Sequence, residues 1–175
     1  MEELARALST GDGNVRTGHD ADLVRTWTAG ELERAGARHI RTGVPLKGRF
    51  YTRRVDVAAD SLGVLCTRID RSLGKNVGNR LEQLVASAAN LAPMPLGFLV
   101  VVSAHEWESS GAAADRLHAG LSAMLSAGLY TSGGLVIWDA EKKLCQTASG
   151  ELDASTLAAR LCGGIESRTK AVGRE

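Results

Sequence analysis

The side chains with the most chemical potential lie between Arg41 and Arg80. That segment holds nine basic residues (Arg41, Lys47, Arg49, Arg53, Arg54, Arg68, Arg71, Lys75, Arg80) against three acidic ones (Asp56, Asp60, Asp70). It is +6 in a chain of net charge +1, so the remainder is −5. A local excess of this kind can hold a polyanion by displacing condensed counterions, and it can equally be a solvated basic surface. A second cluster is His105-Glu106-Trp107-Glu108. Two carboxylates and an imidazole could ligate a metal, but the spacing is not that of His-Glu-x-x-His, and an exposed loop is expected there. Trp107 is expected to pack or to anchor a partner. Ser103 and Ser110 lack the nucleophile-elbow context of an activated serine. Thr131-Ser132-Gly133-Gly134 precedes a strand rather than a helix, which makes it a turn and a poor phosphate cradle. His19, His39 and His118 are dispersed, with His118 partly exposed on a helix.

Composition narrows the classes. Hydrophobic residues are 44% and charged residues 23%, ordinary for a globular domain, and with aromatics at 4% the core must be aliphatic. Residues 1–175 suit one domain, with its core at about 20–140. Cys66, Cys145 and Cys162 are odd in number and form no Cys-x-x-Cys, so buried free thiols in a reducing, cytoplasmic setting are expected. Met1 opens onto charged residues rather than an apolar leader, and no apolar run is long enough to span a bilayer.

The elements that must position these residues follow from periodicity. Glu2–Leu8 suits a short helix, Ser9–Gly18 a loop, and Asp20 caps a helix over Ala21–Ala35 closed by Gly36. His39–Thr42 reads as a short strand and Val44–Gly48 as a turn around Pro45. Arg49–Ala59 and Leu62–Ile69 read as an antiparallel pair joined at Asp60-Ser61. Gly74–Leu91 is an amphipathic helix with Val77, Leu81, Leu84, Val85, Ala88 and Leu91 inward and Lys75, Asn79 and Glu82 outward. Leu96–Ser103 is a central strand, Ala112–Ala127 a second helix, Gly133–Trp138 a buried strand, with a short strand near Leu144 and a closing helix over Asp153–Ser167 before a loose tail from Thr169. The sum is α/β: a mixed sheet flanked by helices.

With the elements placed, a resemblance emerges. The order α-β-β-β-α-β, with Arg54-Val55-Asp56, then Leu62-Gly63-Val64-Leu65-Cys66-Thr67, then Gly74-Lys75-Asn76 and Asn79-Arg80-Leu81-Glu82, resembles the PD-(D/E)XK nucleases, the restriction-endonuclease-like fold. It spans Gly43 to Ser103. In that family an Asp ends one strand of a hairpin, Glu/Asp-x-Lys lies on the next, and a Lys/Asn-rich turn and Asn-Arg-x-Glu open the helix in one subgroup. Paired carboxylates there hold Mg²⁺, which activates water against the phosphodiester, and the lysine offsets developing charge. Here the Glu-x-Lys positions read Leu65-Cys66-Thr67. The resemblance therefore implies Asp56, Glu82 and Lys75 as catalytic candidates, with Asp56, Asp70 and Glu82 as metal ligands, if the chain is active. It implies Arg53, Arg54, Arg68, Arg71, Lys75, Asn76, Asn79 and Arg80 as the surface that meets DNA. Arg68 could also replace the missing lysine. Alternatively Asp56 pairs with Arg54 or Arg68, and the α-helical polar residues are a wet face.

Three functions stay open on these residues. One is a DNA-associated, catalytically impaired nuclease-fold protein (a pseudoenzyme, with no cofactor) in restriction, defence or DNA processing. The second is an active Mg²⁺-dependent endonuclease with relocated ligands. The third is a protein–protein scaffold, as a homodimer or with a protein partner, without nucleic acid. None involves a membrane.

Overall fold

The computed structural model describes residues 1–10 and 19–172, with side chains described at 1–10 and 21–164. The expected loop at Ser9–Gly18 therefore lies mostly outside the described residues. α1 (Glu2–Ser9) and α2 (His19–Arg34) precede a meander of β1 (Arg41–Lys47), β2 (Thr52–Ala59) and β3 (Leu62–Ile69). α3 (Leu73–Leu91) crosses to β4 (Leu96–Ser103); α4 (Ala104–Ser109) and α5 (Gly111–Ser126) lead to β5 (Ser132–Asp139). β6 (Leu144–Thr147), two short 3-10 turns and α6 (Leu157–Val172) complete the described chain.

The six strands form one mixed sheet in the order β1-β2-β3-β4-β5-β6. β1, β2 and β3 are antiparallel neighbours, β3, β4 and β5 run parallel, and β6 returns antiparallel to β5. β4 sits at the centre because Leu96–Val102 are all buried, as a strand covered on both faces requires. Its side chains alternate between two aliphatic clusters. Phe98, Val100 and Val102 face α3 and α5, whereas Leu99 and Val101 face α1, α2 and α6. The protein is thus α/β, with helices on both faces of the sheet. Fully buried Leu4 and Leu161 carry this packing well outside residues 20–140.

Several expectations need correction. β1 runs straight through Pro45, which was read as a turn; an edge strand tolerates a missing N–H. The turn lies instead at Gly48–Tyr51. Residues 104–109 form helix α4 rather than a loop, started by Ser103 Oγ accepting from Glu106 N. Gly133 and Gly134 lie within β5; a Cβ on Gly133 would fall 2.2 Å from the Phe98 ring, so close packing and not a turn selects glycine. Val85 is 41% exposed rather than inward, and His118 is exposed. α2 begins at His19, so Asp20 falls inside its first turn, and α6 continues to Val172 through most of the segment read as a loose tail. Gly36 does end α2 in a left-handed conformation, with Gly36 N and Ala37 N capping Glu33 O and Leu32 O.

Candidate functional site

The meander does not stay flat. β2 and β3 pair only at Val57–Val64, Ala58–Gly63 and Ala59–Leu62. Before Val57 they diverge, and the β1–β2 hairpin crosses to the C-terminal end of α3. There Asn90, fully buried, holds it: Asn90 Oδ1 accepts from Phe50 N at 2.9 Å and Tyr51 N at 3.1 Å, and Nδ2 donates to Tyr51 O at 2.9 Å. Arg49 N donates to Asn90 O at 2.8 Å. Buried backbone groups must find partners, and here one amide side chain serves three of them.

Asp56 sits at the divergence. Its Oδ2 accepts the Cys66 backbone N–H at 2.9 Å, a donor that the departing strand leaves without a ladder partner. Its Oδ1 accepts from Arg25 Nε at 2.9 Å, and Arg25 also touches Asp22. The partner of Asp56 is therefore Arg25 on α2, not Arg54 or Arg68. Burial pulls the Arg25 guanidinium down, but the hydrogen bond and charge of Asp56, aided by Asp22, outweigh it and hold it above its ordinary value. Beside them the Cys66 thiol lies 3.6 Å from Thr28 Oγ1, and burial, then the Asp56 charge, push it up to about 12. The recess bounded by Arg25, Asp56, Cys66, Thr67 and Arg68 holds ≈ 10 Å³, about what one water needs.

The remaining predicted residues stand elsewhere. Asp70 accepts from Arg68 Nε at 2.7 Å at the end of β3, so this acid and this base engage each other. Four residue-to-residue rises of strand separate Asp70 from Cys66, roughly 13 Å. Glu82 and Lys75 are exposed on α3, which packs on the face of the sheet opposite α2. Asp56, Asp70 and Glu82 are thus not brought together, and among the described residues no three His, Cys, Asp or Glu side chains are grouped to hold a metal ion. Mg²⁺ keeps several waters and wants oxygen ligands in octahedral array. A recess of one-water size, closed by a guanidinium, does not fit it.

The start of α3 gathers Arg71, Lys75, Asn76, Asn79 and Arg80, of which Arg71, Lys75 and Asn79 are exposed. Asn76 Nδ2 donates to Ser72 O and Arg80 to Gln83 Oε1, which holds those two side chains along the helix. Glu106 does not pair with Glu108 as a ligand set. Its Oε2 accepts Leu73 N at 2.7 Å and caps α3 from α4. A carboxylate at that N-terminus satisfies the helix dipole itself. Arg53 and Arg54 travel with the diverging hairpin, so the basic segment divides into two patches, one at each end of α3. Arg25, Asn90 and the capping role of Glu106 were missed from the sequence. Asn90, polar beside Leu91 in an apolar stretch, was the only one with a local signal.

No family model matches the chain, and neither a curated protein nor a solved structure matches it. Fold and site together define a class only: an α/β protein with a six-stranded mixed sheet flanked by helices. No helix among the described residues is long and apolar enough to cross a membrane.

Proposed function

We propose that the chain is a restriction-endonuclease-like domain that binds DNA without cutting it. The observation that carries this is the occupation of Asp56. Both its oxygens are engaged, one by Cys66 N and one by Arg25, so a guanidinium supplies the positive charge that a divalent ion would supply in an active relative. The neighbouring positions agree: Leu65 is 2% exposed in the core, where the resemblance places a carboxylate, and Thr67 stands for the lysine. The element order supports the kinship, since an antiparallel meander, a helix and a parallel strand follow an α-helix as the resemblance requires. Exposed Arg71 and Lys75 at one end of α3, and Arg54 on the hairpin, supply phosphate contacts. The buried thiols of Cys66 and Cys145, outside any disulfide, suit a reducing, cytoplasmic setting, and restriction, defence or DNA processing is the context we propose.

The test is incubation of plasmid and phage DNA with wild type, Asp56→Ala and Glu82→Ala in Mg²⁺ or Mn²⁺. No cleavage is expected from any of them. Metal-dependent cutting by wild type that either substitution abolishes would establish the active endonuclease instead. A mobility shift that weakens steeply with salt and with Lys75→Ala is expected, because each phosphate contact adds about 0.9 to the slope of log affinity against log salt. No shift at low salt would leave the protein scaffold, as a homodimer or with another partner.

A further inference from the structure

The tip of the β1–β2 hairpin has a composition that the carboxylate site does not explain. Residues 47–54 read Lys-Gly-Arg-Phe-Tyr-Thr-Arg-Arg, four basic side chains and no acidic one. Phe50 is 79% exposed and Tyr51 45%, the two most exposed large hydrophobic side chains of the described residues. Lys47, Arg49 and Arg54 beside them are exposed too.

The exposure is built. The tip's backbone turns inward onto Asn90, and Arg49 Nε donates to Ala92 O at 3.1 Å. Gly48 makes that approach feasible, since a Cβ there would lie 2.2 Å from Asn90 Nδ2. Val44 and Leu46 pack into the core, which leaves the two rings alone outside. A clamped backbone presents them at little further entropic cost.

We propose that this tip is a stacking wedge for DNA with unpaired bases: Phe50 and Tyr51 take base faces, and Lys47, Arg49 and Arg54 take the flanking phosphates. This rests on the DNA reading above and adds a substrate class to it. Charge selects the occupant. Two rings of roughly 150–250 Å² each fall well short of the ~800 Å² per partner of a stable protein interface. Stacking needs only a ring and a base, and guanidinium and ammonium groups around it match a polyanion.

Fluorescence anisotropy with a labelled oligothymidylate and a duplex of equal length separates the possibilities. Wild type is expected to prefer the single strand. Phe50→Ala should weaken single-strand binding about tenfold or more, as loss of one stacked base does, while duplex binding and thermal midpoint stay unchanged. Phe50→Trp should retain the affinity. If wild type binds DNA but the single-strand affinity survives both Phe50→Ala and Tyr51→Ala, the wedge is overturned and the DNA reading stands. If wild type binds neither oligonucleotide at low salt, the DNA reading fails and the wedge with it. Phe50-dependent binding to phosphatidylserine vesicles without DNA binding, or tighter Phe50-dependent binding to oligouridylate, would overturn the choice of ligand.

Discussion

Asp56 and Arg25 form an ion pair at the floor of a narrow recess, with side chains 20% and 26% exposed. Such a pair lies between the exposed case, worth little, and the buried case, where removing one partner strands a charge. Arg25→Ala should therefore cost roughly 1–3 kcal/mol in denaturant unfolding. Asp56→Ala should cost a similar amount, because the Cys66 N–H loses its acceptor. The double variant should cost less than the sum, and strict additivity in that cycle would refute the pair. A purely catalytic Asp56 would instead be neutral or stabilising when removed. Asp56 was legible as a candidate because an acid on the first strand of the β2–β3 pair fits the nuclease pattern. It could not name the partner, since only the packing of α2 on the sheet brings Arg25 near, and no local spacing encodes that.

At the scale of elements, the hairpin and α3 behave as one unit through Asn90. Asn90→Ala removes three side-chain hydrogen bonds and leaves two amides, Phe50 N and Tyr51 N, without acceptors. The expected loss is on the order of 3 kcal/mol, together with faster hydrogen exchange at Phe50 and Tyr51 and little change in β4. Unchanged exchange at those amides would show that the tip is held otherwise. β3 and β4 were legible with their ends because uninterrupted apolar runs of strand length leave few options. β1 was not, because Pro45 argues against a strand wherever the edge is unknown. α4 was not either, because six residues are too few to show a period. The bend that carries β2 away from β3 has no trace in the pattern, since Val55 and Val57 are apolar whichever cluster receives them.

At the scale of the whole molecule, three weak acids among the described residues, Cys66, Cys145 and Tyr130, have their neutral forms favoured by burial. Burial raises Cys66 to about 12 and Cys145 to about 11 from an ordinary 9.0, and burial likewise raises Tyr130, whose hydroxyl donates to Leu84 O. The unfolded chain releases these protons first. The contribution of these two thiols to stability is therefore fully present below about pH 9 and is lost as pH rises towards about 11 for Cys145 and about 12 for Cys66, by about 1.4 kcal/mol per pH unit for each thiol that ionises only when unfolded. Cys66→Ala should flatten that decline in chemical denaturation between pH 9 and 11, and an unaltered slope would place the thiol in contact with water.

The rim of the sheet decides how copies of this chain can meet. β1 is its outer strand on one side, and it carries Pro45 without an N–H, a left-handed Gly43, and charges at Arg41 and Lys47. On the other side β6 is four residues long and is flanked by α1. Neither border offers a long, even row of donors and acceptors. Fibrous stacking and strand-to-strand pairing between molecules are thereby discouraged, so a twofold assembly would have to be joined through side chains rather than by extending the sheet.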